Sequence, residues 1–186
     1  MKLKKAAAET KSQVYLENKR KKKWVDKSGH NCFMLFARSL YITWGGHENW
    51  IWNCFKETGE ENVEVAKLSH VCWLDVRGKF SVSDLSPGIV YEIVYQVKLT
   101  NGADGWELPI SLKLSLPNGV VRQRQVVLLE KPRGEWTELS VGNFLAEEGE
   151  TGEVCFDIYE HGGHWKRGLI IRGAILRPKH PLQRQI

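Results

Sequence analysis

Residues 42–53, Ile-Thr-Trp-Gly-Gly-His-Glu-Asn-Trp-Ile-Trp-Asn, place Trp44, Trp50 and Trp52 within nine positions around a Gly-Gly turn. An indole left open to water beside hydrogen-bonding groups suits one ligand class well. A pyranose packs the C–H groups of its apolar face on an aromatic face, while its edge hydroxyls need amide, carboxylate or backbone partners. His47, Glu48 and Asn49 supply such groups inside the turn. Trp44 and Trp50 stand at its two ends, where a ring can lie flat and open. Trp52 sits deeper in its strand and is the better core candidate. The competing reading is that all three pack between sheets, as large apolar side chains usually do.

Other chemistry is poorly represented. No GxSxG elbow, P-loop, dinucleotide fingerprint or HExxH occurs. Glu153 and Glu160 are the carboxylates a glycosidase would need to set roughly 5–10 Å apart across one bond. Continuous strand between them gives roughly 23 Å and opposite faces, so no enzyme is expected. His161 and His164 flank Gly162-Gly163 without a marked third metal ligand, and Cys32, Cys54, Cys72 and Cys155 are scattered singly with no CxxC pair. No metal or other cofactor is expected. The thiols read as free and buried, except that Cys32, near a change in composition, could be exposed and reactive.

The elements that must hold these residues are strands. The chain has 186 residues, 42% of them hydrophobic, enough for one domain with a substantial core. Nothing approaches the roughly 20 apolar residues of a membrane helix, and no membrane partner is expected. The basic start "MKLKKAAAETKSQ" lacks an apolar h-region, so it reads as no secretory signal, and cytosolic synthesis is expected. The net charge of +5 divides unevenly: residues 1–27 hold ten Lys/Arg against three Asp/Glu, and the remainder is slightly acidic. Residues 1–27 therefore read as a basic mobile arm, and 28–186 as the folded domain, without the basic face a nucleic-acid reader carries. The run Lys-Arg-Lys-Lys-Lys at 19–23 invites nuclear import or anion binding; simple solvated charge is the alternative.

From Phe33 onward apolar residues alternate. "RSLYITW", "NWIWNCF", "VEVAKLSHVCWLDVRGKF", "GIVYEIVYQVKLT", "WELPISLKLSL", "GVVRQRQVVLLE", "GEVCFDIYE" and "RGLIIRGAILRP" all read as strands rich in Val, Ile, Tyr and Trp. Asn118-Gly119 marks a hairpin, and "SVGNFLAEEG" reads as a short helix ended by Gly149. Trp73, among apolar neighbours, reads as core. The pattern predicts an all-β antiparallel β-sandwich with jelly-roll-like connections and at most one or two short helices.

Several segments resemble the plant phloem protein 2 lectins, a family that includes the cucurbit phloem lectins and the tobacco agglutinin. They are "ARSLYITW…NWIW", "VEVAKLSHVCWLDVRGKF", "LSPGIVYEIVYQVKL" and "WTELSVGNFLAEEGETGEVCFDIYEHGGHWKRGLIIRGAILRPK", running from about Ala37 to Lys179. The resemblance implies a jelly-roll-like lectin without catalytic activity or metal, homodimeric, in the cytoplasm or phloem sap. Its implied ligands are chito-oligosaccharides and N-acetylglucosamine-containing glycans such as N-glycan cores. The tryptophan ending ITW and the first of WxW, here Trp44 and Trp50, are implied to bind sugar; they are the pair the turn selects. Two implied glutamates fall on Glu153 and Glu160. Strand length keeps both from one small site, and Glu160, bordering a loop, is favoured. Asn49 would join it in hydrogen bonding, with Trp165 and Lys166 lining the same mouth. Phloem lectins are also associated with RNA and with cysteine cross-linking. An RNA-binding transport protein using the arm, weakly and salt-dependently, is the alternative function, and Cys32 or Cys54 would carry any cross-link.

Overall fold

The computed structural model describes residues 13–53 and 63–180. In chain order the strands are β1 Val14–Leu16, β2 Lys21–Val25, β3 Asn31–Phe36, β4 Tyr41–Ile42, β5 Trp50–Asn53, β6 Val65–Leu68 and β7 Leu74–Ser81. They continue as β8 Ile89–Asp104, β9 Ile110–Ser115, β10 Val121–Val126, β11 Thr137–Ala146, β12 Glu153–Glu160 and β13 Arg167–Pro178. All pairing is antiparallel. Helical structure among the described residues is limited to 3₁₀ turns at Ala37–Ser39, Val82–Asp84 and Leu128–Glu130.

The strands form two sheets. In the eight-stranded sheet β13 is central, with β8 and then β11 on one side and β3 and β6 sharing the other. Its sequence RGLIIRGAILRP is accordingly an almost continuous apolar run, as expected of a strand with neighbours on both edges and side chains packed on both faces. The five-stranded sheet has the order β10-β9-β12-β7-β4. Its strands alternate: Leu74, Val76 and Phe80 of β7 face inward and are buried, while Arg77 and Lys79 face out. Gly78 also faces inward, opposite Phe156 on β12. A Cβ there would collide with the Phe156 ring, so the glycine is the space the ring fills. Phe33, Leu35, Trp50, Tyr95, Trp106 and Phe156 fill the sandwich core, each contributing about 1.5–3 kcal/mol on burial. The buried polar tips find acceptors: Tyr95 Oη donates to Phe156 O at 2.6 Å and Trp106 Nε1 to Arg167 O at 2.9 Å.

Two elements differ from the sequence expectations. The segment SVGNFLAEEG is not a helix; most of it lies in β11, paired along β8 from Thr137↔Val97 to Ala146↔Ile89. A bulge between Ser140 and Gly142 inserts a residue, so the buried positions run Leu139, Val141, Phe144, Ala146. The three-residue step across the bulge mimics helical spacing. The second difference is at the N-terminus, where residues 14–25 are a hairpin added to β3 rather than a free arm. Trp24 packs against Met34, Phe36, Val63 and Ile175. The lysines lie along aromatic faces, Lys22 over Trp24 and Phe36, Lys23 over Phe33 and Lys21 over Phe80. Their stems cover apolar surface while the ammonium groups reach water, so a run of charge is compatible with docking. Residues 1–12 lie outside the described part.

Cys32 is buried, and burial together with the charge of Asp26 pushes its thiol up to about 12, which corrects the expectation of a reactive group. Cys72 and Cys155 are half-buried free thiols; Cys54 lies outside the described residues.

Candidate functional site

Three segments meet at one end of the sandwich: the turn 43–49, the segment 69–73 leading into β7, and the loop 161–166 after β12. Hydrogen bonds stitch them side by side. Thr43 N donates to Asp75 O at 3.0 Å, extending the β4–β7 pairing. Asn49 Nδ2 donates to His70 O at 3.0 Å, and Asn49 O accepts from Ser69 N at 2.8 Å. On the other side Val71 and Lys166 exchange both backbone bonds, at 3.1 and 2.8 Å. Asn49 is thus a strut that fixes the turn.

Trp44 is 66% exposed. Leu40 is buried and Ile42 packs on the core, and strict alternation would send Trp44 in with them. Its backbone instead turns left-handed, φ 56°, and the ring is thrown outward. That conformation costs a non-glycine residue about 1–2 kcal/mol, and it persists because the surroundings hold it. Gly45 N closes the turn on Ile42 O at 3.1 Å, and Trp52 Nε1 donates to Gly45 O at 2.8 Å. Trp52 is itself clamped by the Arg38 guanidinium, 3.9 Å from its ring centroid, with Arg38 paired to Glu64 at 2.6 Å.

Trp50 does not share this exposure. It is 1% exposed, paired with Leu68 of β6 and packed in the core. The expectation of an open ring at both ends of the turn is corrected: Trp50 supports the site from below, while the half-exposed Trp52 occupies the margin.

Glu160 and Glu153 end up at opposite ends of β12. Glu153 is exposed and 3.8 Å from Lys79. Glu160 is nearly covered and faces inward, 2.6 Å from the Lys166 ammonium. Its other oxygen accepts from Gly162 N at 3.0 Å, and His164 lies 3.5 Å away. Burial alone would raise the Glu160 carboxyl, but Lys166, Gly162 and His164 together hold it below the ordinary glutamate value. Lys166 was expected to line the mouth; it is instead wholly buried, its ammonium also donating to Cys72 O, Gly162 O and His164 O. Close backbone packing completes the loop. Gly105, at φ 90°, lies where any Cβ would strike Trp165 O, and His164 Nε2 donates to Gly105 O at 3.1 Å.

Two more indoles open onto this end. Trp165 is 65% exposed, edge-on to His70. Trp73, expected in the core, is 46% exposed and lies flat on His161, centroids 3.6 Å apart. The signal for Trp73 was available: it shares the outward parity of Asp75, Arg77 and Lys79, while Leu74, Val76 and Phe80 take the inward one.

The family model of phloem protein 2 matches residues 30–178, a span that holds the turn, the middle segment and the loop. The chain belongs to the phloem protein 2 family. Among phloem protein 2 relatives, Protein PHLOEM PROTEIN 2-LIKE A1 of Arabidopsis thaliana is 49% identical over 173 residues, covering 90% of this chain and 70% of that one. A lectin of Luffa acutangula is 46% identical over 169 residues, covering 89% and 80%. Of solved structures, TmCBM61 in complex with β-1,4-galactotriose is similar at 15% identity and a TM-score of 0.47, covering 77% of this chain and 91% of that one. The β1–β2 hairpin lies outside the phloem protein 2 match.

Proposed function

We propose that this protein is a lectin that binds chito-oligosaccharides and other N-acetylglucosamine-containing glycans without transforming them. The observation that carries the reading is Trp44, an indole held in water on a left-handed turn that Trp52 and Asn49 lock from behind. A ring so fixed offers a dry plate for the C–H face of a sugar at little ordering cost, and the exposed His47 and Glu48 stand beside it for the hydroxyls. Relatives described as lectins, from Luffa acutangula and, at 35% identity, from Coccinia grandis, support the reading. The separation of Glu153 and Glu160 along β12 keeps these two from serving as a glycosidase acid–base pair, which supports the non-catalytic reading.

A stacked ring contributes on the order of 1 kcal/mol beyond its burial, so a single sugar would bind at about millimolar strength. Pairing of two copies would add avidity on branched glycans. Calorimetric titration of the whole chain with chitotriose, followed also by tryptophan emission, tests the reading. Binding with an emission change is expected, weakened about tenfold in Trp44→Ala at an unchanged unfolding midpoint. No heat and no emission change at millimolar chitotriose would remove it.

A further inference from the structure

The outward face of the five-stranded sheet departs from an ordinary solvated β surface at one place. Asp75 has the outward parity of Arg77 and Lys79, yet it is only 4% exposed. Its own partners cover it. Arg77 donates to the two carboxylate oxygens from Nε at 2.8 Å and Nη2 at 3.2 Å, and His161 Nε2 donates at 2.9 Å. His161 in turn lies on Trp73 with ring planes 5° apart, and its other neighbour is the Tyr159 ring, centroids 5.1 Å apart. The Tyr159 hydroxyl accepts from Gln123 Nε2, two strands further across the sheet. The buried carboxylate therefore fixes His161, and with it a stack in which His161 lies flat on Trp73 and the Tyr159 ring of β12 is tilted 32° against His161.

This stack lies at the same end of the sheet as the Trp44 turn. The Thr43–Asp75 hydrogen bond carries the β4–β7 register one step beyond Ile42↔Val76, and past that pair the two chains, leading to Trp44 on one and to Trp73 on the other, leave the sheet at the same end. We propose that the Trp73–His161–Tyr159 stack, with the indole of Trp73 as its exposed end, is a second saccharide subsite, so that a bound oligosaccharide runs from Trp44 across Trp73 onto the five-stranded sheet.

The chemistry favours a neutral, multi-ring ligand. His161 covers one face of Trp73, and the indole still keeps nearly half its surface in water. The largely exposed Arg77 guanidinium is oriented by Asp75 and stands across from Asp157 on β12, so its donors are fixed while its charge is largely offset. That suits hydroxyl and acetamido oxygens better than a carboxylated or sulfated sugar. From Trp73 the His161 centroid is 3.6 Å away and the Tyr159 centroid a further 5.1 Å, so with Trp44 the exposed aromatic surface is longer than one sugar ring. Asp75 is a positioning residue: it touches no sugar and acts by fixing His161 and Arg77.

The subsite rests on the lectin reading above, and chain-length dependence separates the two. The whole chain is titrated calorimetrically with chitobiose and with chitotetraose, as wild type and as Trp73→Ala, His161→Ala, His161→Phe and Asp75→Asn. Wild type should prefer the tetramer by about tenfold or more. Trp73→Ala and His161→Ala should erase most of that preference while still binding chitobiose. His161→Phe, which keeps the stack, should retain most of it, and Asp75→Asn should lose part of it with the unfolding midpoint monitored alongside. If neither sugar binds wild type, the lectin reading falls and the subsite with it. If both bind equally, or if Trp73→Ala leaves the length preference intact, the subsite is overturned and the lectin reading stands.

Discussion

Lys166 Nζ and Glu160 Oε2 stand 2.6 Å apart, and the lysine has no exposed surface at all. This pair is the structural work of Glu160 in the fold. Removing one partner of a buried pair leaves an uncompensated charge and costs about 3–5 kcal/mol. Glu160→Gln should sit near the low end, because Lys166 keeps its three carbonyl acceptors. Urea unfolding at pH 7 should show a loss of about 3 kcal/mol, with chitotriose affinity falling only as the loop loosens. An unchanged midpoint would mean the ammonium is not confined as described.

The same pair fixes the acid behaviour. Burial opposes ionisation of Glu160 and of Asp75, but Lys166 with Gly162, and Arg77 with His161, outweigh it and hold both carboxyls below their ordinary values of 4.5 and 3.8. A depressed carboxyl contributes stability that is complete above its ordinary value and is lost as pH falls through the folded one. Asp157 runs the other way: burial raises its carboxyl, so its ionised form weakens the fold at neutral pH. Unfolding midpoints measured from pH 7 down to pH 3 should therefore fall below about pH 4.5 in wild type and fall less steeply in Glu160→Gln. Asp157→Asn should raise the midpoint at pH 7.

Trp44 and Trp50 should separate cleanly into function and structure. Trp44→Gly removes a mostly exposed ring and supplies the residue best suited to a φ of 56°. Its stability should match or exceed wild type by up to about 1 kcal/mol, while chitotriose binding weakens about tenfold, as in Trp44→Ala. Trp50→Ala empties a core position and should cost about 3–5 kcal/mol. Thermal unfolding and titration on the same samples check both; a destabilised Trp44→Gly would show that the ring is part of the scaffold.

Alternation made most of this architecture legible. Leu74, Val76 and Phe80 against Arg77 and Lys79 is a pattern any reader of the sequence can see. What it could not show was where alternation breaks. At Trp44 a left-handed residue reverses the face, and at Gly142 a bulge shifts it, so one ring is freed and one strand passes for a helix. Trp50 and Trp52 share a parity, and only the strand behind them decides which is sealed. The site suffered most because its polar residues are chosen for reach: Lys166 and Asn49 look like surface groups until their carbonyl partners are in place.

The lysine-rich hairpin is a case where composition misleads, and it can be tested by removal. β2 pairs with β3 over five positions, and Trp24 closes the cluster formed by Met34, Phe36, Val63 and Ile175. Deleting residues 1–27 should uncover that cluster and the edge of β3, lowering the melting temperature by about 4 °C or more, since 1 kcal/mol corresponds to about 2–4 °C at this size. Trp24→Ala alone should reproduce much of the loss. A truncated chain that melts with wild type would restore the view of this segment as a free arm.

The far edge of the sandwich gives the last test. β10 and β11 are edge strands of the two sheets, and edges invite pairing with other chains. Arg122 and Arg124 of β10 reach across the gap and donate to the carbonyls of Asn143 and Ser140 on β11. They occupy acceptors that an incoming strand would use. These bonds are exposed, so the double variant Arg122→Ala/Arg124→Ala should lose no more than about 1 kcal/mol of stability. Its aggregation should nonetheless begin at a lower temperature and protein concentration than wild type, read by light scattering during heating. Equal aggregation at equal unfolded fraction would show that the arginines do not guard the edge.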